Sequence, residues 1–442
     1  MAVSASIKNS ALLILEKTLT IGIAFITGVF LARIAGPQLF GEYAYILSFA
    51  GLFAPLCMMG LNNITSKYVI KYPINSHHYV KSALIIRAFG ALLSVLLGLF
   101  CVLNFNENNS ANSLTIQLLI LQSFQFLYVI EYYFLANNLV NTTLKIRLFI
   151  LMLSSLLKII VIFNGADITL LIKVHGGAYA FIALSYLWFY RVKNAHLILK
   201  KQVNSHAIFA LFHRGKWLLL SGIAAVIYLK IDQVMLGQYY NNKEVGIYAA
   251  AARLSEFWYV FPVLIANAFN RQLHDKFKQS HKDFTLFLQS ILAVLIVSAV
   301  IISILTYVLS PIVLLWIYGE EFIKSAAILN IHIFATLFIF QRAIFSKWLI
   351  IKGLYKYSLL THGVGAISNV ILNIYFIPKW GGIGAAWATL ISYVFASFIS
   401  LFFSKATRPF AFIMLQATFV QTFKLRSSIK LIKNSQKPSQ LI

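Results

Sequence analysis

Long apolar runs separated by short polar connections account for most of this chain. Twelve can be drawn, at roughly 11–33, 42–64, 82–103, 113–136, 144–163, 170–190, 216–236, 245–269, 284–309, 325–346, 357–377 and 382–403. Each holds about twenty residues, the length an α-helix needs to cross a hydrocarbon core of ~30 Å. The pattern predicts an all-α membrane protein with twelve transmembrane helices. The seventh run is the least regular, because Lys230 and Asp232 interrupt it. The first is too long, and too poorly flanked, for a cleaved signal peptide.

The pattern also repeats. Val29–Ala44, VFLARIAGPQLFGEYA, lies over Val234–Ala249, VMLGQYYNNKEVGIYA, with matches at Val29/Val234, Leu31/Leu236, Gly41/Gly246, Tyr43/Tyr248 and Ala44/Ala249. Shifted by two further residues, Leu47-Ser48 falls on Leu254-Ser255 and Pro55 on Pro262. At that same spacing Gly177-Ala178 and Ser185-Tyr186 fall on Gly384-Ala385 and Ser392-Tyr393. Matches in order at a nearly constant offset argue for a duplicated chain. Six spans is an even number, so the second half re-enters the membrane as the first did, and the repeats are parallel, related by an axis along the membrane normal. The expected organisation is a six-helix bundle over 1–200, a second over 201–404 and a basic cytoplasmic tail over 405–442, with the connection at about 191–215 linking the halves. Substrate sites in such architectures lie where two bundles face each other.

Composition agrees with the span pattern. Of 442 residues 60% are hydrophobic and 11% charged, against about a quarter charged in a soluble protein; mean hydropathy is +0.81. A net charge of +25 invites a nucleic-acid partner, but the basic residues sit in short connections, not on one folded face. With the N-terminus inside, 26 of the 37 Lys and Arg residues fall in inner connections and tail, among them Lys8, Lys145, Arg147, Lys200, Lys201 and Lys437. Five fall outside: Arg33, Lys173, Lys243, Lys324 and Lys379. That asymmetry places both termini in the cytoplasm. Cys57 and Cys101 lie in apolar runs, so neither a disulfide framework nor a metal site is implied, and no cofactor is expected.

Finer features follow from position. Trp188, Tyr190, Trp217, Trp316, Tyr318 and Trp380 fall at span ends, as interfacial anchors do. Gly381, Gly382, Gly384, Ala385, Ala386 and Ala388 give the last span a small-residue start suited to close packing. Pro55 and Pro262 should bend spans two and eight at matching places, as packing kinks or as hinges. Phe410–Phe423 is apolar but short and carries Gln416 and Gln421; it reads either as a helix on the cytoplasmic surface, its following lysines near anionic lipid, or as a disordered tail.

Ionisable groups inside the spans carry the mechanistic information. They are Glu16, Lys17, Arg87, Glu131, Lys158, Lys230, Asp232, Arg253, Glu256 and Arg342. A Lys, Arg or Asp at mid-bilayer costs about 2.5–3.5 kcal/mol on insertion scales, so these side chains should face protein or water. Arg253 and Glu256 are three apart and can pair locally; Lys230 and Asp232 are two apart and cannot. At ~1.5 Å per residue, Arg87, Arg342, Lys17 and Glu131 lie towards the cytoplasmic third. Lys158 and Lys230 lie past the middle, and Arg253 and Glu256 near the outer third. Such a stair of cations suits an anionic group that must cross, phosphate above all. Lys17, Arg87, Lys158, Lys230, Arg253 and Arg342 are therefore candidate cavity residues, and Glu16, Glu131, Asp232 and Glu256 candidate ion-coupling residues. The alternative is interhelical salt bridges and side chains reaching for an interface. His332 and His362 read as packing residues.

Catalysis has no visible apparatus: there is no phosphate loop, G-x-S-x-G, H-E-x-x-H or C-x-x-C. The longest outer connection, about fifteen residues, is too short for a catalytic domain, so no enzyme is expected.

Three blocks carry a family resemblance: LARIAGPQLFGEYAYILSF at Leu31–Phe49, KIDQVMLGQYYNNKEVGIYAAAARLSEFWYVFP at Lys230–Pro262, and NVILNIYFIPKWGGIGAAWATLISY at Asn369–Tyr393. In these the chain resembles polysaccharide flippases of the Wzx type, within the multidrug/oligosaccharidyl-lipid/polysaccharide exporter superfamily. The resemblance implies a V-shaped, MATE-like pair of six-helix bundles around a central cavity. It implies passage of undecaprenyl-diphosphate-linked oligosaccharide, of O-antigen or a related surface polysaccharide, from inner to outer leaflet of a bacterial cytoplasmic membrane. Membrane lipids and a polysaccharide polymerase are the implied partners. Lys230, Asp232 and Arg253 fall inside a matching block, as does Glu256; the other charges rest on burial alone. Two rivals are an ion-coupled multidrug antiporter of the same fold and a membrane-embedded polymerase or ligase. A positive cavity opposes the first, and short outer loops oppose the second.

Overall fold

The computed structural model describes residues 2–105, 109–198 and 205–436. Lys200, Lys201 and Lys437, counted above among the inner basic residues, lie outside the described residues, as does the side chain of Lys8. Described residues are helical or turn, with no strand among them. Among the described residues ten helices are long and apolar enough to cross a membrane: α1 Leu15–Lys71, α2 Pro73–Asn104, α3 Ala111–Ala136, α4 Val140–Phe163, α5 Ile168–Lys193, α6 Ser205–Tyr239, α7 Asn242–Ala268, α8 His281–Tyr318, α9 Ser325–Ile351 and α10 Lys356–Phe403.

Ten helices hold the twelve expected spans because two are double. α1 breaks at Gly36 (φ 72°, ψ 176°), just before Pro37, and α10 at Gly381 (φ 54°, ψ −132°), three residues after Pro378. Both dihedral pairs are ones that a side chain would resist, and each glycine falls between two apolar runs. α10 turns back sharply there. A Cβ on Gly384 would stand 2.2 Å from the carbonyl oxygen of Phe376, so the small residues that follow the break are packed against the incoming leg. The matched prolines behave differently. α7 breaks at Trp258-Tyr259, ahead of Pro262, whereas the helix runs through Pro55 to Met58.

The described chain forms two compact units, Met1–Gly246 and Ile247–Ile442. The first holds α1 to α6, so the seventh span packs with the first six. Its core gathers Val129, Ile130, Phe134, Ala183 and Tyr186 among others. Inside this unit the sequence repeat makes contact with itself. A Cβ on Gly41 would stand 1.6 Å from the carbonyl oxygen of Asn242, and one on Gly246 would stand 2.0 Å from that of Pro37. Positions 37 and 242, like 41 and 246, are repeat equivalents. The two glycines thus let two helix backbones touch, as small residues do in membranes.

The second unit is centred on α8, whose Phe284, Phe287, Leu288, Ile291 and Leu292 are buried. Further along α8, Ile301, Ile304, Leu305, Val308, Ile312 and Trp316 form one exposed apolar stripe at helical spacing, a face that lipid would cover. Trp188, Trp217 and Trp380 are exposed as expected of anchors, but Tyr190 and Tyr318 are buried in protein.

The segment after α10 departs from expectation. Not a disordered tail, it folds into α11 Arg408–Gln416 and α12 Leu425–Gln436, and it packs one face into the unit instead of merely lying on its surface. Phe410, Ala411 and Met414 are buried in the core of the unit. The Phe410 ring lies 5.1 Å from Phe345 and 5.4 Å from Trp348, centroid to centroid, and Gln289 donates to Gln416 at 2.5 Å. The two glutamines that weakened this segment as a span are satisfied in part by protein.

Candidate functional site

Two helices of the first unit carry polar residues on a single face. On α4 these are Arg147, Ser154, Ser155 and Lys158; on α5 they are His175, Tyr179 and Tyr186. Spacings of three, four, seven and eight keep each set on one side of an α-helix. The other side of the pair is apolar, with Phe149, Leu153, Leu157 and Phe181 exposed.

At one end of this seam lies a cluster of three charges. Arg147 bridges Glu131 of α3 and, at 3.4 Å, Glu16 of α1. Thr20 donates to Glu16 at 3.3 Å, and both carboxylates are buried. Arginine suits this task because its planar fork meets two carboxylates at once. By sequence alone Arg147 belongs with an inner connection. It sits two turns inside α4, which starts at Val140, and its charge is used within the protein.

About 16 Å further along α4, at 1.5 Å per residue, stands Lys158, half-buried. Its Nζ lies 3.2 Å from His175 Nδ1. The Tyr43 hydroxyl reaches the same nitrogen at 2.7 Å, and His175 Nε2 meets the Tyr179 hydroxyl at 3.1 Å. Tyr128 donates to the Tyr179 carbonyl at 3.3 Å. An ammonium has donors only, so Nδ1 accepts and the ring proton resides on Nε2. The result is a lysine, a neutral imidazole and two phenols at one level of the span, drawn from α1, α4 and α5. His175 escaped the sequence reading, although its spacing of four from Tyr179 and eleven from Tyr186 places all three on one helical face.

Other candidate cations are fasteners. Arg87 is fully buried and donates to the carbonyls of Cys57 (3.0 Å) and Gln125 (3.0 Å) and to Asn62 Oδ1 (3.3 Å). Arg342 is buried and donates to the carbonyl of Ala396 (2.8 Å) and to Thr361 Oγ1 (3.1 Å), tying together the two legs of α10. Cys57 and Ala396 each stand one residue before an unbroken α-helical stretch ends, at Met58 within α1 and at Ser397 within α10, where carbonyls lack intrahelical partners and the dipole favours a cation. Both arginines are therefore helix-end staples, not rungs of a charged stair. Arg87→Lys keeps the charge but loses the fork. It should cost about 1.5–3 kcal/mol, one charge-assisted hydrogen bond, read as a lower unfolding midpoint of the purified protein in detergent.

The remaining candidates are spread out. Lys17 is exposed; Lys230, Arg253 and Glu256 are half-buried; Asp232 is buried beside Gln233, which accepts from Ser48 at 2.7 Å. In the second unit, Tyr248, the repeat partner of Tyr43, packs edge-on against buried His332 at 6.0 Å. Tyr259 reaches His332 Nδ1 at 3.5 Å. His332 thus packs as expected, and each unit sets a tyrosine from the repeated motif against a histidine.

Doubled helices and charges held within the spans define a polytopic all-α membrane protein. The fold is similar to that of the lipid II flippase MurJ in an inward closed conformation, with a TM-score of 0.69, 17% identity and 95% of each chain covered. It is also similar to the MATE transporter VcmN of Vibrio cholerae, with a TM-score of 0.59, 14% identity, and 93% of this chain and 100% of that one covered. Residues 6–269 match the family described as polysaccharide biosynthesis protein, and the chain belongs to that family. Over 259 residues it is 25% identical to the probable flippase AglR of Haloferax volcanii, covering 56% of this chain and 52% of that one. The chain therefore spans about half the length of the curated relative it matches.

Proposed function

We propose that this protein is a flippase for a polyprenyl-diphosphate-linked oligosaccharide, a repeat unit of O-antigen or a related surface polysaccharide. It carries the head group from the inner to the outer leaflet of a bacterial cytoplasmic membrane by alternating access, both termini being cytoplasmic. The observation that carries this reading is Lys158 part-way along a span beside His175, Tyr43 and Tyr179. A crossing diphosphate needs an ammonium and hydroxyl donors where water is scarce. Lys230 and Arg253, in the block that carries the family resemblance, extend that set. Family membership supports a polysaccharide intermediate as cargo, and the asymmetric basic connections support the orientation. Asp232, Glu256, Glu131 and Glu16 are the groups through which an ion gradient would drive the return.

The likeness of the fold to VcmN favours a second reading, an ion-coupled drug exporter. An excess of cations within the spans opposes cationic drugs as cargo. In cells that depend on this protein, Lys158→Ala, Lys230→Ala and Arg253→Ala are each expected to lower surface polysaccharide at least tenfold. Lipid-linked intermediate should collect on the inner leaflet while protein in the membrane is unchanged. Full activity of all three variants would remove the assignment, and drug resistance conferred on cells without polysaccharide synthesis would favour the exporter.

A further inference from the structure

A pocket of about 420 Å³ lies between the first turns of α8 and α11 in the second unit. Lys405, Arg408 and His281 line it together with the Thr285 hydroxyl, and Phe412 and Ile413 supply apolar wall. Arg408 gives one N–H to the carbonyl of Phe402 at 3.1 Å, so most of its fork is not taken up by protein among the described residues. Thr285 gives its proton to the carbonyl of His281 at 2.9 Å, so the donors that face the pocket are those of Lys405, Arg408 and His281.

Charge balance says what belongs there. No acidic residue follows Glu321 anywhere in the sequence, while Lys405, Arg408, Lys424, Arg426, Lys430 and Lys433 gather between 405 and 433. The acids nearest in sequence to the pocket are exposed Asp283 and Asp275, and Asp275 pairs with Arg271 at 3.8 Å. Counter-charge has to come from outside the segment. Its source is fixed by the adjoining surface: Phe412, Phe419 and Phe423 are exposed, Phe423 to 87%. Aromatic rings so placed beside basic residues sit in a bilayer interface.

We infer that this pocket binds the phosphate of an anionic phospholipid from the adjoining leaflet, with the acyl chains leaving along the exposed phenylalanines. The pocket belongs to the second unit and the Lys158 cluster to the first, and the inference does not depend on the flippase reading. Binding docks α11 and α12 against the lipid surface, so the segment after α10 becomes a composition-sensitive clasp on the second unit.

The test uses the full chain in detergent, titrated with phosphatidylglycerol, phosphatidylcholine or inorganic phosphate, and read by thermal unfolding and by native mass spectrometry. Phosphatidylglycerol should raise the unfolding midpoint and remain bound; phosphatidylcholine and inorganic phosphate should do neither. Basic residues at such a surface contribute about fivefold each, so the pair Lys405→Gln with Arg408→Gln should weaken binding roughly thirtyfold. Lys430→Gln with Lys433→Gln, outside the pocket, should weaken it by less than about fivefold. As a second readout, Phe412→Trp should show fluorescence quenched by phosphatidylglycerol brominated on its chains. Equal loss in the two double variants, unchanged binding in the first, an equal effect of inorganic phosphate or an unquenched Trp would each overturn the assignment.

Discussion

Gly246→Val should abolish accumulation of folded protein in the membrane, and Gly41→Val should do the same. At both positions a new Cβ meets a main-chain oxygen, at 1.6 Å for Gly41 and 2.0 Å for Gly246. A crowded side chain can change rotamer, but a helix carbonyl cannot move without its helix. Relief would require the two backbones to part where residues 37–41 meet residues 242–246, forfeiting that close contact. Overpacking of a core side chain costs about 1–3 kcal/mol, and backbone against backbone lies at or above the top of that range. The effect is separable from any general dislike of valine. Gly22 and Gly51 have nothing within 4 Å of an added Cβ, so Gly22→Val and Gly51→Val should accumulate normally. The measurement is the yield and monodispersity of a fluorescent fusion on size-exclusion chromatography. A wild-type profile for Gly246→Val would mean that this helix contact does not exist.

Arg147→Ala is the second severe case. It leaves Glu16 and Glu131, both buried, facing one another without the guanidinium that bridges them. Breaking a buried charge cluster by removing one member costs about 3–5 kcal/mol, mainly because the uncompensated charge stays behind. That origin makes a rescue predictable. Glu131→Gln added to Arg147→Ala removes part of the stranded charge and should restore a good share of the stability, a coupling that a double-mutant cycle measures. Arg147→Lys should fall between, since one ammonium cannot present a planar fork to two carboxylates. Thermal unfolding in detergent across these variants decides the matter; additive losses in the double variant would show that the three groups do not act together.

What the sequence made legible was set by what hydropathy can report. The twelve spans follow from the length of apolar runs, and the breaks at Gly36 and Gly381 sit where glycine lies beside proline or a second glycine. The repeat was visible too, down to the equivalence of Gly41 and Gly246, though not the reason for those glycines, which is one helix backbone resting on another. Charges were harder. Arg147 looked like a flank because a cation near the start of an apolar run is taken for its boundary, and only Glu131 and Glu16, drawn from other helices, show it to be inside. Arg87 and Arg342 read as cavity cations because a sequence does not disclose where a neighbouring helix leaves its last carbonyls open. His175 was passed over since its partners Tyr43 and Lys158 lie 132 and 17 residues away. The segment after α10 misled for a related reason: two glutamines argued against burial, and one of them has a glutamine waiting on α8.

The meeting of Gly41 with Gly246 has the form of an isologous patch, each side offering its own glycine to the other's carbonyl four residues earlier. A single motif, once duplicated, supplies both sides of that seam, since each copy carries the same glycine. Selection on the pair is then shared: enlarging either residue injures both sides of the seam at once, so the two sites are bound to drift together or not at all.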